Sequence, residues 1–234
     1  MLDLGSTDFN LAINAIDASR LETLSGVLFD EWETYVDRHL ALPDYSLFLQ
    51  VEEGSINGWG KIRSAAGVLV VGISAYGGLI SGIETISKQV GATGKYLADH
   101  AQRTFSCPDN QTTVRRKGGV PAALQKLFAR VQSGELTPAE ASIQAEALLG
   151  DEASEVPGFI DALKDAFRSC PRHPQQIQLS LDELAEMPLT ETAKSRLPRA
   201  PKRRTPELPP PLHYRVEVWR ESKKKRKQTK LTAL

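Results

Sequence analysis

The stretch SAAGVLVVGISAYGGLISGI, Ser64 to Ile83, contains no charged side chain, although Arg63 and Glu84 bound it and 25% of the chain is charged. Three structures use such a stretch: a membrane span, a helix enclosed in a protein core, or a glycine loop that cradles phosphate. Spacing argues against the loop. Gly67, Gly72, Gly77 and Gly82 fall at intervals of five, with no dinucleotide fingerprint and no glycine-lysine-serine ending, since Gly94-Lys95 runs into tyrosine.

Wound as a helix, the residues sort into two faces. Ser74, Gly77, Gly78, Ser81 and Gly82 recur at steps of three and four and make a face of nearly bare backbone. Leu69, Ile73, Tyr76, Ile80 and Ile83 make a large apolar one. Gly78-xxx-Gly82 is the small-xxx-small pattern that lets two helix backbones approach closely. Each glycine costs a water-exposed helix about 1 kcal/mol against alanine, so this helix must be enclosed by lipid or by protein. Its length, at 1.5 Å per residue, just covers a hydrocarbon core of about 30 Å. Lys61 and Arg63 on one side and Lys88 and Lys95 on the other assign no orientation. Ile86, Val90 and Leu97 continue the large face beyond Glu84. The favoured reading is therefore one long Gly-rich core helix over about residues 63–100, with self-association through the Ser74, Gly77, Gly78, Ser81, Gly82 face. A single membrane span over 64–83 is the alternative.

Before this stretch, Phe9, Leu11, Ile13 and Ala15 alternate with Asn10 and Asn14 as in a half-buried strand. A helix follows, with Ser19 and Glu22 as a capping box and Leu21, Leu24, Leu28, Trp32, Tyr35 and Val36 on its apolar stripe. It should stop near Leu42, because Pro43 disfavours a helical residue before it. In YSLFLQV, Tyr45, Leu47, Leu49 and Val51 alternate with Ser46, Phe48 and Gln50; EEGS turns the chain, and INGWGKI returns as a strand weakened by Gly58 and Gly60. The pattern predicts an α+β fold in which helices cover a small antiparallel sheet, with residues 1–104 as its body.

Residues 105–186 read as a helical region. SCPDNQTT is turn-forming and VRRKGG a basic loop. VPAALQKLFARVQ is a helix with Pro121 in its first turn and Leu124, Leu127, Phe128 and Val131 on one stripe. Thr137, Pro138 and Glu140 open a second helix that Gly150 ends, and Phe159, Ile160, Leu163 and Phe167 mark a third. Residues 187–211 are a Pro-rich linker, with Pro188, Pro198, Pro201, Pro206 and the run Pro209 to Pro211. In 212–234, Leu212, Tyr214, Val216 and Val218 alternate with His213, Arg215, Glu217 and Trp219. The closing KKKRKQTKLTAL either returns as a hairpin partner or stays without regular structure.

The chain has 234 residues, 41% of them hydrophobic, and a net charge of zero that hides a segregation. Residues 1–190 carry 15 Lys+Arg against 25 Asp+Glu, net −10, whereas 191–234 carry 14 against 4, net +10. A basic tail on an acidic body suits contact with phosphate, or neutralisation by its own body. The candidate polyanion set is Arg215, Trp219, Arg220, Lys223, Lys224, Lys225, Arg226 and Lys227. Aromatic residues among the cations favour nucleic acid, with anionic lipid as the alternative. Asp3 and Asp8 stand where a signal peptide needs positive charge, and two cysteines are too few for a disulfide framework. A cytoplasmic setting is expected, with membrane association as the alternative.

Motifs for catalysis are lacking. His100, Cys107, Cys170 and His173 are metal-capable, but only Cys170-x-x-His173 has zinc-ligand spacing, and each cysteine precedes a proline. No oxyanion-forming glycine motif adjoins either cysteine. Glu52-Glu53 and Asp151-Glu152 read as turn charges, and His39 as a favourable cation at a helix end. A non-enzymatic accessory or assembly protein with no cofactor and no metal is expected. Its partners would be a second copy or another protein, and nucleic acid.

Overall fold

A computed structural model describes residues 1–13, 16–108, 112–171 and 213–234. Its elements are β1 (Leu2–Leu11), α1 (Ala18–His39), β2 (Ser46–Glu52), β3 (Ile56–Ser64), α2 (Ala66–Ser74), α3 (Leu79–Thr104), β4 (Thr112–Gly118), α4 (Val120–Gln132), α5 (Pro138–Leu149), α6 (Pro157–Ser169), β5 (Tyr214–Arg220) and β6 (Gln228–Ala233). The six strands form one antiparallel sheet in the order β4-β1-β3-β2-β5-β6, so the fold is α+β. The Pro-rich segment 187–211, together with Asn14, Ala15, His173 and Leu212, lies outside the described residues.

Side-chain alternation decides which face of the sheet the helices cover. Phe9 and Leu11 of β1, Leu47, Leu49 and Val51 of β2, Ile62 of β3, and Val216 and Val218 of β5 are all buried. Each contributes roughly 1.5–3 kcal/mol on burial. Trp32 of α1 is fully buried above them and donates its Nε1 proton to the Thr93 carbonyl of α3 at 3.2 Å, which fixes one helix against the other. α1 and α3 run antiparallel, and Tyr35 stacks on Tyr96 with ring centroids 3.9 Å apart.

β1 starts earlier than its alternation suggests. A bulge between Asp3 and Gly5 shifts the register against β3, so the buried positions change from Leu2 and Leu4 to Thr7, Phe9 and Leu11. The helix after it is capped by Asp17, whose Oδ1 accepts from the Arg20 N–H at 2.9 Å; Ser19 lies inside the first turn and forms no cap. In VRRKGG, Gly119 precedes α4 as its N-cap, while VRRKG, Val114–Gly118, is part of edge strand β4, paired to β1 from Gly5↔Gly118 to Leu11↔Thr112, and not a loop. Its side chains are largely exposed, so pairing of the backbone holds it and no apolar alternation announces it. The Thr137–Glu140 capping box with Pro138 in the first turn forms as read. KKKRKQTKLTAL does return, with β6 paired to β5 from Tyr214↔Ala233 to Trp219↔Gln228.

The uncharged stretch does not make one helix. α2 and α3 meet at 110°, joined through Ala75 to Gly78. Gly77 takes a φ of +73°, a left-handed conformation that other residues adopt only at a cost. At Gly82 a Cβ would clash with the carbonyl oxygen of Ile73, so only glycine lets the first turn of α3 lie against the last turn of α2. Among the described residues no single helix is long and apolar enough to cross a membrane; α2 and α3 reach that length and apolarity only as a bent pair.

Candidate functional site

The Ser74, Gly77, Gly78, Ser81, Gly82 set surrounds the α2–α3 corner and does not form a stripe along one helix. Ser81 Oγ donates to the Tyr76 and Gly78 carbonyls at 3.1 and 3.0 Å, and Ser74 Oγ donates to the Val70 carbonyl at 2.9 Å. Gly82 packs within the chain, and nothing lies closer to a Cβ at Gly78 than Ser81 Oγ. The close approach that the glycines permit is between two helices of the same chain.

The tail cations divide between two faces. Arg220 points inward and is nearly buried; it pairs with Glu33 and, at 3.6 Å, with Asp37, and its guanidinium stands 5.7 Å from the Tyr45 ring centroid. Lys223 lies over the same ring at 4.7 Å and donates to the Leu42 carbonyl at 3.1 Å. Lys227 pairs with Asp30. The acidic face of α1 thus neutralises three members of the set. Burial raises the Glu33 pKa, against the opposing pull of Arg220. Burial and then the hydrogen bond to Asp37 push the Tyr45 phenol up. Lys225 pairs with Glu221, while Lys224 and Arg226 are exposed and make no ion pair among the described residues.

Arg215 and Trp219 point the other way, onto a face that sequence reasoning did not assemble. Its positions are Asp3, Ser6, Asp8 and Asn10 of β1, Asn57, Trp59, Lys61 and Arg63 of β3, Ser46, Phe48, Gln50 and Glu52 of β2, and Arg215, Glu217 and Trp219 of β5. None of these side chains is buried, in contrast to the apolar residues between them. Phe48 is at its centre, in register with Lys61 on one side and Trp219 on the other. The Phe48 and Trp59 rings meet edge to face at 5.4 Å, and Lys61 Nζ stands 5.7 Å from the Trp59 ring and 2.8 Å from Asp3.

Trp59 points outward because the inward positions beside it have no room. A Cβ at Gly58 would overlap the Phe9 ring and one at Gly60 would overlap Leu97, so both glycines serve close packing under the helices. The usable signals were Phe48 in the polar phase of YSLFLQV and a tryptophan between two glycines.

Two depressions mark this face. One of about 570 Å³ is lined by Phe48, Trp59, Lys61, Arg63, Trp219 and Lys225, among others. A second of about 420 Å³ is lined by Asn10, Gln50, Asn57, Trp59 and Arg115, among others, and shares Trp59 with the first. The outward positions of all six strands hold the carboxylates Asp3, Asp8, Glu52 and Glu217 and the cations Lys61, Arg63, Arg115, Lys117, Arg215 and Lys230. The face is therefore net positive on a body whose first 190 residues are net −10. Arg215 is partly neutralised by Glu52 at 2.7 Å.

Of the metal-capable set, His173 lies outside the described residues. His100 stacks on Tyr96 and pairs with Glu31, Cys107 and Cys170 are buried, and no cluster of three His, Cys, Asp or Glu occurs among the described residues. No protein-family model, curated protein or solved structure matches the chain.

Proposed function

We propose that the open face of the sheet binds single-stranded nucleic acid in a non-enzymatic, accessory role. One observation carries this reading: Phe48, Trp59 and Trp219 lie side by side on three neighbouring strands, half exposed, with Lys61, Arg63 and Lys225 around them. Unpaired bases offer flat faces that stack on such rings whatever their sequence, at about 1–3 kcal/mol per base, while cations meet the phosphates. A duplex hides those base faces and gains only the charge term. Trp59 lies between the two depressions, so the strand would run from the Trp219 side toward Arg115, with successive bases over successive rings. The tail contributes Arg215, Trp219 and Lys225, while Arg220, Lys223 and Lys227 hold the hairpin to α1.

Tryptophan emission tests the reading directly. The chain has three tryptophans, of which Trp59 and Trp219 are on the open face and Trp32 is buried. Adding a mixed-sequence single strand should quench most of the exposed emission, and the same sequence as a duplex should quench it far less. Equal quenching by both, or none by either, contradicts the proposal.

A further inference from the structure

The uncharged corner and the lysine turn are at the same end of the sheet. β3 ends at Ser64 and leads into α2, while β5 ends at Arg220, opposite Leu47 near the start of β2, and leads into the turn before β6. Only β2 lies between β3 and β5, so the two exits are about 10 Å apart. The segment from Leu40 to Asp44 ties them together. Ser222 Oγ and the Lys223 N–H donate to Asp44 at 3.0 and 2.8 Å, and the Leu42 side chain packs where Gly72 of α2 leaves room. Because Trp32 sits beside Thr93 and Ala41 beside Gln89, the first turns of α3 run past the end of α1.

Val71 is 59% exposed and Ile80 37%, and Ala75, Gly77 and Ser81 beside them are also exposed. With no charge for twenty residues of sequence around them, these apolar side chains can be buried against an apolar partner without burying a charge. The side-chain hydroxyls of the corner are engaged, since Ser74 donates to the Val70 carbonyl, Ser81 donates to the Tyr76 and Gly78 carbonyls, and Tyr76 accepts from Gln89 Nε2 at 2.7 Å. The start of α3 has no side-chain cap, so the N–H groups of its first turn suit the depth of the headgroups, where phosphate and water accept hydrogen bonds, and not the acyl core. Lys224 and Arg226 are exposed at the same end and make no ion pair among the described residues, although the Lys224 charge acts on Asp44.

We propose that this end of the molecule is an anchor for the surface of an anionic lipid bilayer. Val71 and Ile80 enter the boundary between headgroups and acyl chains, and Lys224 and Arg226 meet lipid phosphates. Stable attachment at an interface needs two signals, an inserted apolar element and a basic one, and both are present here. The acidic face of α1 and the net-negative body orient the molecule with this end toward the anionic lipid. A second copy is a poorer occupant, since a two-fold contact through the corner would bring two lysine turns toward each other. This inference is independent of the nucleic-acid reading, which uses the open face.

Flotation of the full chain with phosphatidylcholine vesicles, with and without phosphatidylserine, tests it. The wild type should float only with the anionic vesicles. Val71→Glu with Ile80→Glu should abolish flotation, and Lys224→Ala with Arg226→Ala should weaken partitioning by more than about tenfold at low salt, from roughly fivefold per cation. These positions are exposed, so the thermal transition should not move and loss of fold is separable. Trp59→Ala with Trp219→Ala should float like the wild type. The proposal is overturned if the wild type does not float with anionic vesicles, if the Val71→Glu, Ile80→Glu variant still floats, or if the Trp59, Trp219 variant does not. It is also overturned if light scattering finds a dimer that the Val71→Glu, Ile80→Glu pair dissociates.

Discussion

Phe48 on β2 stands directly opposite Trp219 on β5, and the two rings share the outer face with Trp59, whose centroid is 5.4 Å from that of Phe48. The contact joins the hairpin of the body to the end of the chain, so the aromatic platform exists only when β5 is paired to β2. Deleting residues 213–234 is expected to remove Trp219 from the platform and uncover Leu49 and Val51, which pair with Val218 and Val216. A cooperative loss of stability beyond about 3 kcal/mol in urea unfolding, from the buried Val216 and Val218 alone, checks it.

The α2–α3 corner predicts opposite signs for two glycines. Gly82→Ala should destabilise by about 1–3 kcal/mol, because its Cβ meets the Ile73 carbonyl and backbone must move. Gly91→Ala, in the interior of α3 with no atom near its Cβ, should stabilise by roughly 0.5–1 kcal/mol through helix propensity. Urea midpoints of the two variants, with unchanged slopes, are the measurement.

Arg220 carries the attachment of β5 to α1. Arg220→Ala should cost about 3–5 kcal/mol, since it leaves the largely buried Glu33 carboxylate without its partner. Adding Glu33→Gln to that background should recover part of the loss, and the coupling appears in a double-mutant cycle of chemical unfolding. Strict additivity of the two changes would mean that the pair does not hold the strand.

Asp44 gives the hairpin its acid sensitivity. Burial pushes its carboxyl up, but hydrogen bonds from the Lys223 N–H, Ser222 Oγ and the Tyr45 N–H outweigh this and hold the pKa below the ordinary aspartate range. Stability from a lowered pKa is fully present above the unfolded value and is lost as pH falls through the folded one. Glu33 has the opposite sign, because protonation through its raised pKa relieves the cost of burying its charge. Asp44→Asn should therefore be less stable than the wild type at neutral pH and lose less on acidification below about pH 4. Thermal midpoints across that window check the crossing of the two curves.

Most elements could be read from residue spacing, because apolar alternation in β2 and β5 and the three- and four-residue stripes of α1, α4 and α6 report burial directly. What escaped were features that depend on partners far away in sequence. The bulge after Asp3 switches the phase of β1, so its first half does not alternate with its second. Gly77 and Gly82 looked like a helical stripe because spacing does not reveal a left-handed φ or a carbonyl lying against a Cα. Three of the tail's cations, Arg220, Lys223 and Lys227, face Asp30, Glu33 and Asp37 once β5 pairs with β2, which neither segment announces alone.

The central claim, that three aromatic rings on an open sheet stack the bases of a single strand, is tested most directly by affinity against salt for the wild type and for the Phe48→Ala, Trp59→Ala, Trp219→Ala variant. The wild type should bind with a log affinity that falls with log salt at about −0.7 per phosphate neutralised. The triple variant should keep that slope and bind roughly a hundredfold or more weakly, from about 1 kcal/mol or more per lost ring. A folded triple variant that binds a single strand as tightly as the wild type, or a wild type that does not bind one at low salt, would contradict it.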